Sequence, residues 1–147
     1  MPKFTRTLIL NKPSSHVFQY LSNFDLQKLW IKELVKIEKL DTNDKNFYLY
    51  LKEGRKISKY QGKTISSIPN KELVVELSNN SFTSKTSYFL TDKNDTTVLN
   101  YQVEMQIHSI FGKIMFILLV YIFSLIVLKN QMSALKKAVE ETHTTIN

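Results

Sequence analysis

The chain reads as an α+β domain: one strand, two short helices, six consecutive antiparallel strands and a long C-terminal helix. Three observations carry that reading. Apolar and polar residues alternate with a period of two from about residue 35 to residue 107. Helical spacing shows only before and after that stretch. The turns between strand candidates are short, which restricts neighbours to antiparallel pairing in a meander.

"FTRTLIL" reads as the first strand. Pro13 then suits a first helical turn, where its missing N–H is not needed. Val17, Phe18 and Leu21 fall on one face of that helix. Asp25 is the expected cap of a second short helix, "LQKLWIKEL", with Leu26, Leu29 and Trp30 on a shared face.

The strands follow. "VKIEKLD" alternates through Val35, Ile37 and Leu40, and "FYLYLKE" places Phe47, Leu49 and Leu51 together. "RKISKYQGKTISSI" is too polar to show which side faces inward. "ELVVELS" groups Leu73, Val75 and Leu77. "SFTSKTSYFLTD" groups Phe82, Ser84, Thr86, Tyr88 and Leu90. In "DTTVLNYQVEMQIH", Leu99, Tyr101, Val103, Met105 and Ile107 alternate with polar partners. Pro13, Gly54, Gly62, Pro69 and Gly112 are expected at turns. One apolar and one wet face is what an antiparallel sheet permits.

The final helix is expected from about Ile114 to Glu141, with no Pro or Gly inside it. Leu118, Tyr121, Leu125, Leu128, Met132, Leu135 and Val139 recur at alternating spacings of three and four, which makes a continuous stripe. Its first half, Ile114 to Leu128, is uncharged and bounded by Lys113 and Lys129. At about 1.5 Å per residue it reaches roughly 22 Å, short of the roughly 30 Å of bilayer hydrocarbon. A spanning helix would also leave the apolar sheet face uncovered. The helix is therefore expected to lie along the sheet. Met115, Phe116, Val120, Phe123 and Val127 fall off the stripe. Loops, a ligand cavity, a partner or a membrane surface are the alternatives for what covers them.

A length of 147 residues fits a single domain, residues 1–147, with enough apolar residues for a core. There is no cysteine, which excludes disulfides, thiolate catalysis and cysteine metal sites. The N-terminal stretch has only three consecutive apolar residues, Leu8 to Leu10, and does not read as a secretory signal. A cytoplasmic location is the expectation, with membrane association through 114–128 as the alternative. The net charge is +7, but Arg6 and Arg55 are the only arginines. Arginine is the preferred reader of phosphate and guanine, so this lysine-rich surface does not point to nucleic acid.

"LILNKPSSHVFQYLSNFDLQKLW", "SYFLTDKNDTTVLNY" and "LKNQMSALKKAVEE" together resemble the SRPBCC superfamily, which groups START lipid-transfer domains, birch-pollen-allergen-like proteins and polyketide cyclase/dehydrase-like proteins. The shared features are the proline at the helix start, the aromatic at Phe18, Asp25, Trp30, a threonine at Thr96 or Thr97 after the hairpin, and a C-terminal helix rich in Leu-Lys and Glu. The chain departs from the pattern in the apolar start of its last helix and in having few glycines near its hairpins. The resemblance implies the helix-grip fold: a curved sheet of about seven strands wrapped on the long helix, with a hydrophobic cavity between. It implies an apolar or amphipathic small-molecule partner, and some members are enzymes, so fold alone does not settle activity.

No catalytic constellation stands out. His16, His108 and His143 are scattered without ligand spacing, and no nucleophile elbow or phosphate loop is present. No metal site, cofactor or catalytic residue is assigned. The candidate ligand-binding residues are Trp30, Ser84, Thr86, Tyr88, Tyr101, Val103, Leu118, Tyr121 and Leu125. Hydroxyls on an otherwise apolar strand face can fix a ligand's orientation. The alternative is a closed core whose hydroxyls bond backbone or water. Trp30 either lines the cavity mouth or anchors the short helices. The expected function is binding, transport or sequestration of an apolar molecule. The alternatives are a cyclase or dehydratase, or a membrane-associated module using residues 114–128.

Overall fold

The computed structural model describes residues 3–42, 45–80, 82–108 and 129–140. The element order is β1 (Lys3–Leu10), α1 (Ser14–Ser22), α2 (Phe24–Gln27), β2 (Leu34–Lys39), β3 (Asn46–Glu53), β4 (Lys56–Ile68), β5 (Glu72–Ser78), β6 (Phe82–Lys93) and β7 (Thr96–Ile107). Residues 129–140 form a further helix, α3. All seven strands join one antiparallel, curved sheet in the order β1-β7-β6-β5-β4-β3-β2. Six strands thus form an uninterrupted meander, and the first strand adds to the last.

The hairpin turns explain the short connections. Gly54, with φ +66°, opens the two-residue link between Glu53 and Lys56. That geometry needs a positive φ at the first position, which glycine adopts without steric cost. Asn94 and Asp95 both take positive φ between Lys93 and Thr96, the pattern of a tight primed turn. Gly62 is not a turn residue. It lies within β4, directly opposite Phe47.

Two β-bulges change which residues face inward. The β2–β3 register shifts between Leu34 and Lys36. As a result Leu34 and Ile37 pack against the core around Phe47, while Val35 and Leu40 are exposed. The expected alternation through Val35, Ile37 and Leu40 fails because a bulge inserts one residue and flips the parity beyond it. The β4–β5 register shifts between Thr64 and Ser66 in the same way. The inward face of β4, which sequence leaves undecided, runs through Tyr60, Gly62 and Thr64 and resumes at Ser67.

The short helices also differ in detail. Pro13 stands just before α1 rather than in its first turn. Asn23, not Asp25, caps α2: its side chain accepts the backbone N–H groups of Asp25 and Leu26. Leu29 is exposed while Trp30 is buried, because α2 ends at Gln27 and the helical face does not extend to both.

Two apolar clusters fill the sheet's inner side. The larger joins Leu10, Val17, Leu21 and Trp30 to Tyr88, Leu99 and Tyr101, and to Met132, Leu135 and Val139 of α3. The last three are 2%, 0% and 0% exposed, so the stripe packs onto the sheet over its described half. Leu118, Tyr121, Leu125 and Leu128 lie outside the described residues. The smaller cluster joins Phe47, Leu49 and Tyr60 with Phe24, Leu77 and Phe82. Polar bonds fix the corner where β1 enters α1. Thr97, fully buried, donates to the Lys12 carbonyl at 2.7 Å and contacts Ser14 Oγ at 3.2 Å, and the Ser14 N–H donates to Asp92. His16 Nε2 meets the Val139 carbonyl at 3.1 Å, which ties α1 to α3. Among the described residues, no helix is long and apolar enough to cross a membrane.

Candidate functional site

Val75 packs against both clusters. Members of both line a cavity of about 320 Å³. Its roof is α1, α2 and the turn that follows, which contribute Phe18, Leu21, Ser22, Phe24, Gln27, Trp30 and Ile31. Its floor is the inner face of β3 to β6. Phe47 and Leu49 come from β3, Thr64 and Ser67 from β4, Leu73, Val75 and Leu77 from β5, and Thr86 and Tyr88 from β6. No described lining residue carries a charge.

The floor follows from strand periodicity. Leu73, Val75 and Leu77 alternate along β5, and each faces a neighbour on β6: Leu73 opposes Tyr88, Val75 opposes Thr86, and Leu77 opposes Ser84. On β4 the bulge lets both Thr64 and Ser67 face inward despite their odd spacing. Gly62 has a different task. A side chain there would overlap the Phe47 ring, so the missing Cβ is what allows that ring to lie against β4.

The roof is held by side chains bonding to backbone. Trp30 Nε1 donates to the Tyr20 carbonyl at 2.9 Å. Ser22 Oγ donates to the Phe18 carbonyl at 2.7 Å, and Gln27 Nε2 donates to the Leu21 carbonyl at 2.6 Å. Trp30 is 2% exposed, lines the cavity and is anchored at the same time. The two roles weighed for it are one arrangement.

Of the sequence candidates, Trp30, Thr86 and Tyr88 meet around the cavity. Tyr101 stands behind Tyr88 on the neighbouring strand, with ring centroids 5.0 Å apart. Tyr101 donates to Gln131 Oε1 of α3 at 3.5 Å. Burial, first of all, pushes both phenols above the usual tyrosine range. Ser84 is buried beside Leu77 but is not part of the lining. Val103 packs, partly buried, against the larger cluster. Leu118, Tyr121 and Leu125 fall outside the described residues.

The roof residues Phe18, Ser22, Phe24, Gln27 and Ile31 were not among the candidates. Nothing in a four-residue helix signals which of its sides closes a cavity. Leu73, Val75, Leu77, Phe47 and Leu49 were legible as inward-facing, and only their shared cavity was not. Among the described residues, no group of three or more His, Asp or Glu side chains is placed to hold a metal ion.

A curved antiparallel sheet closed against a C-terminal helix, with a cavity under two short helices, is the helix-grip arrangement. Solved structures share it. A START superfamily protein from Mycobacterium smegmatis superposes with a TM-score of 0.78 at 14% identity, covering 95% of this chain and 98% of that one. The Zhui aromatase/cyclase from Streptomyces sp. R1128 gives 0.72 at 11% identity, with 96% and 97% covered. Ara h 8.0201 gives 0.72 at 12% identity, with 94% and 97% covered. At these identities the likeness is one of fold. No family model and no curated protein sequence matches the chain.

Proposed function

We propose that the protein binds a hydrophobic or amphipathic small molecule in this cavity, and so carries or sequesters it. The observation that supports this reading is a cavity of about 320 Å³ with no charged residue in its described lining. That size and composition match small-molecule sites. Each ligand methylene buried against Leu73, Val75, Leu77 and Phe47 contributes about 0.8 kcal/mol. Thr86 and Tyr88 supply orienting hydroxyls on the floor, with Tyr101 behind them. Leu118, Tyr121 and Leu125 complete the helix wall in this reading. Movement of the short helices around Trp30 is the access route. Native mass spectrometry of the purified protein, followed by organic extraction, tests it. A released apolar compound supports the reading; an empty protein that takes up no apolar probe removes it.

One observation favours a second reading, a cyclase or dehydratase on the same scaffold: the buried Tyr88–Tyr101 ring pair at the cavity, with centroids 5.0 Å apart. Burial keeps both phenols protonated, so they suit acid rather than base chemistry. An aromatase/cyclase shares the fold. If Tyr88→Phe and Tyr101→Phe leave any detected turnover intact, the enzymatic reading fails.

A further inference from the structure

The outer side of the sheet is divided in charge. Across β4, β5, β6, β7 and β1 one row runs Lys63, Glu76, Lys85, Glu104 and Lys3, each opposite the next in register. The signs alternate along it, and Lys3 and Glu104 close to 3.9 Å. Opposite charges on facing strands attract, so this row satisfies itself.

The corner made by β2, β3 and β4 is built differently. Phe47 and Leu49 of β3 are buried in the core, so Tyr48, Tyr50 and Lys52 point outward. Register sets Lys36 and Lys59 on either side of Tyr50, and Ile57 beside Lys52. Lys36 Nζ lies 5.3 Å from the Tyr50 ring centroid. Lys59 Nζ lies 5.9 Å from that centroid and 3.8 Å from that of Tyr48. Two tyrosines thus gather two ammonium groups, with exposed Lys52 close by. Glu38, 3.5 Å from Lys36, balances part of this charge. Ile57 is 56% exposed. A groove of about 320 Å³ opens on the same side, walled by Tyr48, Lys59, Gln61, Ser78, Asn79 and Asn80. Ammonium, amide and hydroxyl donors of this kind suit phosphate oxygens.

The residue types favour a lipid surface over a folded acidic partner. Lysine is a point charge on a flexible stem and asks no set geometry of what it meets, whereas arginine suits a fixed carboxylate. Tyrosine rings settle at the level of lipid headgroups, and an exposed aliphatic side chain reaches the acyl boundary.

We infer that this corner of the sheet docks on an anionic phospholipid bilayer, with Lys36, Lys52 and Lys59 among the headgroups and a lipid phosphate in the groove beside Tyr48. Ile57 meets the edge of the acyl layer. The roof helices lie on the opposite side of the sheet, so the cavity's cover faces away from the lipid. Docking of this kind is independent of whether the cavity is filled.

Sedimentation of the purified protein with vesicles tests this, using phosphatidylcholine alone and equal parts of phosphatidylcholine and phosphatidylserine. Binding is expected to the mixed vesicles only, and is lost as salt rises to about 1 M, where the Debye length is about 3 Å. Lys52→Glu combined with Lys59→Glu is expected to weaken binding by at least about twentyfold, at roughly fivefold for each lysine taken from the surface. Lys59→Gln alone, a milder change, is expected to weaken it about fivefold. Lys136→Glu combined with Lys137→Glu makes the same change in net charge on exposed positions of α3, across the sheet from the docking corner. It should leave binding within about threefold, because charges beyond the Debye length of about 10 Å are screened. Circular dichroism confirms that each variant folds. Absence of binding to the mixed vesicles, as an acidic protein partner would give, overturns the inference. So does equal binding to both vesicle types, an unchanged affinity in folded Lys59→Gln, or an equal loss from the two double substitutions.

Discussion

Phe47 on β3 and Gly62 on β4 face each other across the sheet, and the Phe47 ring occupies the space a side chain at position 62 would need. The pair sits at the cavity's edge, since Phe47 is part of its lining. Gly62→Ala must therefore push the ring away from β4. Overpacking of this kind costs typically about 1–3 kcal/mol. The expected outcome is a lower midpoint in urea unfolding, with probe binding weakened beyond what the lost stability explains. Unchanged binding would mean that the ring moves without entering the cavity.

Trp30 is the only tryptophan in the chain. It lines the cavity, so its fluorescence reports occupancy directly. Emission is expected at short wavelength in the folded protein, shifting or quenching as an apolar ligand binds. Trp30→Phe leaves the Tyr20 carbonyl without its indole donor, at a cost of about 1–3 kcal/mol. Thermal or urea unfolding measures that cost.

Leu135 is fully buried between α3 and the sheet. Leu135→Ala is expected to destabilise by about 2–5 kcal/mol, the range for a truncated core leucine. Lys136, one residue on, is exposed. Lys136→Ala should change stability by less than about 0.5 kcal/mol. Similar losses from the two would deny that this helix packs as described.

Tyr60, Tyr88 and Tyr101 all have phenols held above the ordinary range. For each, burial is the first cause, and for Tyr60 the hydrogen bond to Glu53 adds to it. A folded-state value raised above the unfolded one means stability is complete below the unfolded phenol's value, about 10. That stability is lost as pH rises further. Absorbance titration should show at least three of the seven tyrosines failing to ionise until the fold opens. Replacing all three with phenylalanine should remove most of the alkaline loss of stability.

Tyr60 donates to Glu53 Oε1 at 2.6 Å, and hydrogen bonds from Ser58 and then Tyr60 hold the Glu53 carboxyl below the usual range. The sign is opposite here. A lowered folded value contributes stability above the unfolded carboxylate range, and this is lost as pH falls through the folded value. Glu53→Gln is expected to lower the melting temperature slightly at pH 7 and to make no difference in strong acid. Equal effects at both would deny the charge dependence.

Sequence periodicity was enough for element order and for most inward faces. Leu73, Val75 and Leu77 alternate cleanly, and the spacing of Met132, Leu135 and Val139 marks the helix face that is buried. It failed where one backbone residue is inserted. The bulge after Leu34 exposes Val35, and the one after Thr64 makes the face of β4 unreadable in a strand rich in Lys, Ser and Thr. Gly62 looked like a turn because sequence shows an absent side chain but not the ring that needs the space. Of the site, the floor was legible through parity. The roof was not, because its closure depends on where α2 stops and on side chains bonding backbone within a few residues.

The pairing of β1 with β7 bears on how the molecule comes to be made. Lys3 to Leu10 can find their partners only after the stretch from Thr97 to Glu104 exists. Until then the N-terminal strand leaves the ribosome with an open edge, and contacts this distant in sequence form slowly. A nascent chain cut short before residue 96 would lack the strand that β1 pairs with, so two strands far apart in the sequence must meet before the sheet is finished.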